Sequence, residues 1–314
     1  LEDNMKMRPV EFTQYIAPDG NVYKFDTGDR FLMSDEGYGL PPIEYITQKG
    51  PFQHGETVID YRLGPRVIQL QLRQDSCSRD DYWDNRALLL NSIRPNRNVG
   101  VTFSTGVLRK IFQDGTMKDI YAIIQQGPGF VAKQSGKWDE WGFTETLQFI
   151  CHDPIFFNPI QKSYTFDNLV SPGAGVGWEL PWSFPMLFGG TAFALSGNIT
   201  YNGTWMSYPS IVIVGPVNGL VITNISTGET IEFNYSIADG ETVTISLEPG
   251  NKSVTNQLGV NLLGVITSDS DLATFHLAPD PEVALGVNEI DLALSGADAG
   301  SSVTILYYEK YIGL

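Results

Sequence analysis

The sequence holds only three histidines, His54, His152 and His276, and none falls into a spacing that builds a reaction centre. There is no His-Glu-x-x-His pair to hold zinc on one helix face. A Gly-x-Ser-x-Gly turn to present a nucleophilic serine and a Gly-x-x-x-x-Gly-Lys loop to cradle a phosphate are also missing. His152-Asp153 could offer two ligands to a hydrolytic metal, but it lacks further His or Asp at suitable local spacing, so a histidine at a strand end is the expectation. Asp269-Ser270-Asp271 could offer oxygens to Ca²⁺. Without the glycine and distal glutamate of an EF-hand loop, it reads instead as a polar turn. Acidic residues are plentiful enough to supply a glycosidase pair by chance, so their presence discriminates nothing. Cys77 and Cys151 stand without a Cys-x-x-Cys partner or a zinc-type cluster, and a disulfide between them is geometrically conceivable. The residues imply no cofactor and no metal.

The elements are more legible than the chemistry. Residues 40 to 97 read as a Pro-Pro turn, a strand, a polar loop, a strand, a capped helix and a proline stop. Val67 to Leu72 alternates, placing Ile68, Leu70 and Leu72 on one face and Gln69 and Gln71 on the other, as in a half-buried strand. Ser78 stands three residues before Asp81, so its hydroxyl can cap a helix starting near Arg79. Asp80, Asp81 and Asp84 then lie at the positive end of the dipole. Pro95 stops the helix, with Arg94 and Arg97 at its electronegative end. Winding residues 79–94 at 100° per residue gathers Tyr82, Leu89, Leu90 and Ile93 into one apolar stripe. Arg86 falls inside that stripe and Leu88 falls opposite, among Asp81, Asp84 and Asn91. Arg86 can reach water along its stem and a single leucine can be exposed. A second packing partner for the helix, another copy of the chain, would also account for both.

Pro18-Asp19-Gly20 and Asp114-Gly115 read as hairpin turns. Trp141, Phe143, Leu147, Phe149 and Cys151 alternate with Gly142, Thr144, Gln148 and Ile150, predicting a long strand with Glu145 as one polar interruption on its apolar side. Asp153-Pro154 and Asn158-Pro159 end it, and a domain junction is expected near 157, giving domains 1–157 and 158–314. From about Ser207 the period is almost purely two. Ile231, Phe233, Tyr235 and Ile237 face one way. After the Asp239-Gly240 turn, Val243, Ile245 and Leu247 answer from the next strand, which predicts a meander. A final pair of strands, Ile290 to Leu294 and Val303 to Tyr307, is joined by the loop from Gly296 to Ser301. The fold class expected is mainly β: an N-terminal β domain with one α-helix, then a C-terminal antiparallel β-sandwich or jelly roll.

Several runs resemble a known family. They are Gly-Leu-Pro-Pro-Ile-Glu-Tyr at 39–45, Gly-Pro-Phe-Gln-His-Gly-Glu at 50–56, Asp-Tyr-Arg-Leu-Gly-Pro-Arg at 60–66, Asp-Tyr-Trp-Asp-Asn-Arg at 81–86 and Arg-Pro-Asn-Arg at 94–97. They resemble the N-terminal domain of the distal tail proteins of long-tailed, non-contractile bacteriophages. Ser-Tyr-Pro-Ser-Ile at 207–211, residues 222–231 and 240–245, and the closing Tyr-Tyr-Glu-Lys-Tyr-Ile-Gly resemble the C-terminal domain of the same proteins. The first forty residues and those from about 158 to 205 match less clearly. The resemblance implies a non-enzymatic virion protein of the tail tip with a tail-tube-like ring domain and a galectin-like sandwich. It also implies a homo-hexameric ring that meets the tail tube protein, the tail hub or tail-associated protein and the tape measure protein, and leaves a channel for DNA ejection. Assembly in the host cytoplasm, a reducing compartment, makes Cys77 and Cys151 free thiols in that reading. Arg62, Arg66, Tyr82, Arg86, Leu88, Arg94 and Arg97 are the expected subunit contacts, because charged residues recurring in a proline-punctuated apolar segment fit an ion-paired interface.

Charge narrows the partners. Residues 1–157 carry 17 basic and 21 acidic side chains, net −4, whereas residues 158–314 carry 3 and 15, net −12. Nucleic-acid binding needs Lys and Arg to displace phosphate counterions, so no specific nucleic-acid binding is expected, nor attraction to an anionic membrane. No apolar run approaches the roughly 18 residues of a membrane span, and no signal peptide is evident. Leu1 is not an initiator methionine, and Met5 and Met7 are possible starts. An alternative of another class is a carbohydrate-binding module or glycan-active host-recognition protein. Its sugar contacts would be Trp178, Trp182 and Trp205, the only tryptophans of the second half, although each could equally serve in a core.

Overall fold

A computed structural model describes residues 11–26, 30–95, 105–130, 141–167, 169 and 192–314. The chain divides into two compact units: unit 1 is Leu1–Pro159 with Tyr311–Leu314, and unit 2 is Ile160–Lys310. Unit 1 runs β1 (Phe12–Ile16), β2 (Val22–Lys24), β3 (Arg30–Glu36), β4 (Ile43–Gln48), β5 (Thr57–Leu63), β6 (Arg66–Ser76), α1 (Arg79–Ile93), β7 (Gly106–Ile111), β8 (Met117–Gln126), β9 (Trp141–Cys151) and β10 (Phe156–Phe157). Three strands therefore stand between Pro42 and Ser78, where the sequence pattern suggests two. The main sheet has the order β2-β1-β7-β8-β9-β6-β3, with β10 attached to β8 at Phe157 and Asp119. Both Gly-containing turns close hairpins, β1–β2 and β7–β8.

Alternation sets the inner face of this sheet. Ile68, Leu70 and Leu72 of β6 are fully buried, as are Leu147, Phe149 and Cys151 of β9, and they share one core with Tyr15, Phe25, Ile120, Leu89 and Ile93. Each large apolar side chain removed from water contributes about 1.5–3 kcal/mol. Glu145, the polar interruption on β9, accepts the Gly129 N–H at 2.9 Å. The helix starts and stops at the expected residues, and the Ser78 hydroxyl oxygen accepts the Asp81 N–H at 3.2 Å. Its stripe is narrower than expected: Leu89 and Ile93 are buried, but Leu90 is 45% exposed. Leu90 lies about 80° from Tyr82 around the helix, beyond the edge that the sheet covers.

Unit 2 is a sandwich. It runs β11 (Lys162–Phe166), β12 (Ala192–Thr200), β13 (Ser210–Val214), β14 (Val217–Asn224), β15 (Glu229–Ile237), β16 (Thr242–Ser246), β17 (Ser253–Asn256), β18 (Val287–Ser295) and β19 (Ser302–Tyr307). One sheet has the order β11-β19-β13-β16-β17 and the other β12-β18-β14-β15. The expected meander is wrong. The turn after β15 carries the chain to the opposite sheet, where β16 pairs with β13 and β17, while β15 pairs with β14. The final pair is also split, since β18 lies between β12 and β14, and β19 between β11 and β13. Ile231, Phe233, Val243 and Ile245 are still fully buried in one core, because the inner faces of both sheets point into it. Beside this core, the amides of Asn224 and Asn288 hold the backbone of His276 and Ala278.

Candidate functional site

The hairpin β4–β5 begins where Pro41-Pro42 lets the chain leave the main sheet, and it ends at Gly64, whose N–H donates to the Pro42 carbonyl at 2.7 Å. Its ladder sets Ile43 against Leu63, Glu44 against Arg62 and Tyr45 against Tyr61, with a bulge between Ile46 and Thr47. It forms a two-stranded sheet of its own. Such a ribbon is marginal in water, and this one displays apolar side chains along both strands: Tyr45, Val58, Ile59 and Tyr61 are all exposed. A ladder with so much apolar surface and no covering layer is the form of a surface that packs on something else.

On α1, the exposed side carries Trp83, Leu88 and Leu90, each about half exposed. Arg86, the charge inside the apolar stripe, is neither extended to water nor ion-paired among the described residues. Its guanidinium lies 3.9 Å from the centre of the Phe130 ring, 4.7 Å from Trp83 and 5.5 Å from Tyr82, and donates to the Tyr82 hydroxyl at 3.3 Å. Three aromatic faces thus take the place of a carboxylate. Arg86 and Tyr82 are half-buried inside unit 1, so Arg86 does not by itself require the second partner that its position suggested.

The other expected contacts divide. Arg62 and Arg94 are exposed, Arg94 capping α1 through its N–H to the Leu90 carbonyl at 3.1 Å. Arg66 is the clear correction. At 1% exposure it is buried, and its guanidinium is engaged by four backbone carbonyls of unit 1. The arginine donates its N–H groups to backbone carbonyls of its own unit, where the proline-punctuated pattern suggested a neighbouring subunit. Burial pulls its pKa below the ordinary arginine value, with Cys151 opposing. Arg97 lies outside the described residues.

Of the sugar-contact candidates, Trp178 and Trp182 lie outside the described residues. Trp205 is half-buried; its N–H donates to the Lys310 carbonyl at 3.1 Å and its carbonyl accepts the Tyr201 hydroxyl at 2.6 Å. His152 and Asp153 border a cavity of about 270 Å³ lined also by Thr105, Tyr121, Ile123 and Ile150. Asp153 accepts the Ile155 N–H at 3.2 Å, as a strand-end turn does. Asp271 accepts the Thr230 N–H at 2.9 Å, and Ser270 accepts the Glu232 N–H at 2.8 Å and donates to its carbonyl, so this acidic run ties a turn to β15. His276 sits between Glu229 and Glu282 at 3.1 Å from each. Among the described residues no group of three or more His, Cys, Asp or Glu could hold a metal.

Sequence reasoning missed Tyr45, Val58, Ile59, Tyr61 and Trp83. Residues 57–63 do alternate, but alternation marks a face without saying whether anything covers it.

No family model matches the sequence, and no curated protein sequence matches it. The crystal structure of the Dit protein (gp 19.1) of phage SPP1, described as a paradigm of the hub adsorption apparatus in phages infecting Gram-positive bacteria, does match. It aligns over 96% of this chain and 99% of its own, with 14% identity and a TM-score of 0.61. Structures of the phage p2 baseplate in its activated conformation, with Ca and with Sr, align at 10% identity over 95% and 92% of this chain and 98% and 99% of theirs. Their TM-scores are 0.40 and 0.42. Along almost all of its length, this chain has the fold of the SPP1 Dit protein.

Proposed function

We propose that this chain is a structural, non-enzymatic component of a phage tail tip: a hexameric ring that joins the tail tube to the adsorption apparatus and hub and leaves a channel for DNA. Its place is the virion, after assembly in the host cytoplasm. The observation that carries this reading is the fold shared with the SPP1 Dit hub protein over almost the whole of both chains. Unit 1 supports it with the uncovered apolar hairpin β4–β5 and the exposed Trp83, Leu88 and Leu90 of α1. In this reading a second copy of the chain covers both, and Arg62 and Arg94 flank the contact. The sparse basic charge of unit 2 fits a protein that lets DNA pass without holding it.

Light scattering over a range of protein and salt concentrations tests the ring. A discrete particle of about six times the 34.7 kDa chain mass supports closed cyclic symmetry. Leu88→Asp and Tyr61→Asp should each shift that particle to monomer while leaving the fold intact. A monomer at every concentration, both alone and with a purified tail tube, would sink the reading.

A further inference from the structure

Unit 1 is discontinuous in sequence. Its last piece, Tyr311–Leu314, follows the whole of unit 2. We propose that these four residues are the closing piece of unit 1, so that unit 1 reaches its stable form only after unit 2 has been synthesised. The inference does not depend on the ring.

Arg66 ties the pieces of unit 1 together. A fully buried guanidinium must have its N–H groups satisfied, and no carboxylate takes part here. Nε donates to the Pro154 carbonyl at 2.9 Å, and Nη1 to the Gly37 and Gly39 carbonyls at 2.9 and 2.6 Å. Nη2 donates to the Ile312 carbonyl at 2.5 Å. One arginine therefore collects three separate stretches of chain, and the bond to Ile312 can form only when residues 311–314 are present. Until then a charged donor faces the interior of unit 1, where the Phe156 ring packs 4.6 Å from the guanidinium centre.

Other contacts also fix the segment. The Leu314 N–H donates to the Tyr38 carbonyl at 2.9 Å. Tyr311 packs against the core of unit 1, with the Lys118 ammonium 3.2 Å from its ring centre. Gly313 passes so close to residues 38–39 that an added Cβ would lie 3.0 Å from the Gly39 carbonyl oxygen and 3.1 Å from that of Tyr38. On the receiving side, a Cβ on Gly37 would lie 2.3 Å from the Val67 carbonyl oxygen, so Gly37 is held tight against β6. Backbone hydrogen bond, aromatic anchor and close glycine approach together describe a fitted strap rather than a loose end.

The test has two parts. In the full chain, Gly313→Val should speed amide exchange at least tenfold in residues 37–40 and in the start of β6, with β13 and β16 of unit 2 unchanged. On an Arg66→Met background the same substitution should add little, because both act on one contact. Unchanged protection in Gly313→Val, or equal losses in unit 2, would overturn the proposal. The second part uses ribosome-arrested chains. Unit 1 should resist protease when arrest leaves residues 311–314 outside the ribosome, and remain sensitive when arrest leaves only residues up to 310 outside. A unit 1 already resistant with unit 2 still unmade would overturn the ordering.

Discussion

The two units expose apolar side chains in different places. In unit 1 most lie on regular elements: Phe31 and Met33 on β3, Tyr45 on β4, Val58, Ile59 and Tyr61 on β5, and Trp83, Leu88 and Leu90 on α1, with Leu40 and Phe52 on connections. In unit 2 they lie on connections between strands, at Ile225, Leu258, Val260, Leu263 and Leu285. Charge divides the same way. The three basic residues of unit 2 are all engaged within it: Lys162 with Glu309, Lys310 with Glu248 at 3.4 Å, and Lys252 on the carbonyls of Leu272 and Ala273. Unit 1 leaves Arg62 and Arg94 exposed. Unit 2 has covered both inner faces of its sheets with each other, whereas unit 1 has a ribbon and a helix face that only another surface can cover.

The hardest blow to this contrast would come from Arg66. Arg66→Met should destabilise unit 1 by about 3–5 kcal/mol, since four backbone carbonyls lose a charged donor that they share, with the urea transition of unit 2 unmoved. A loss shared equally by both units would mean that they are not independent. Within α1, Leu89→Ala should cost about 2–5 kcal/mol, while Leu90→Ala should stay within about 1 kcal/mol. If both cost the same, Leu90 is covered within a single chain. Thiol reactivity offers a sharper local probe. Cys151 is buried and its thiol is pushed up to about 12 by burial, against the pull of Arg66, whereas Cys77 is exposed. Iodoacetamide at pH 8 should therefore label Cys77 and spare Cys151 in the folded chain, and mass spectrometry reads this directly. The smallest effect belongs to a turn. Hydrogen bonds from the N–H and hydroxyl of Thr116 hold Asp114 below the usual carboxylate pKa. A depressed pKa adds stability above the unfolded value, and that stability is lost as pH falls below about 4. Asp114→Asn should flatten this slight slope between pH 5 and 3 in unit 1 alone.

Much of the fold was legible because its signals are local. Ser78, the acidic first turn and Pro95 bound the helix through backbone donors within a few residues. The alternation of β6 and β9 names their buried faces correctly. Local signals fail where the answer lies in the neighbour. Ile231 to Ile237 and Val243 to Leu247 announce two inward faces, but strands in opposite sheets of a sandwich give the same period as strands in one hairpin. Leu90 was misplaced because a helical projection does not know how wide the covering sheet is. Arg66 looked like an interface residue because no sequence pattern reports that a buried charge will meet carbonyls contributed by residues as distant as Ile312. The hairpin surface was missed for the opposite reason, since its apolar residues follow the rule for a buried strand and nothing covers them.

The pairing of β11 with β19 has a consequence beyond packing. Lys162 sits opposite Tyr307 in that ladder, so the chain enters and leaves unit 2 through adjacent strand ends. Unit 2 therefore has the geometry of a cassette: its two joints lie side by side, and its inner faces need no help from the rest of the chain. Domains with neighbouring ends are the ones that tolerate insertion into another fold. A different module of similar end spacing can stand at this position without altering the ladder of unit 1, provided residues 311–314 still return. Exchange of unit 2 for such a module is thus a change that the core of unit 1 can tolerate.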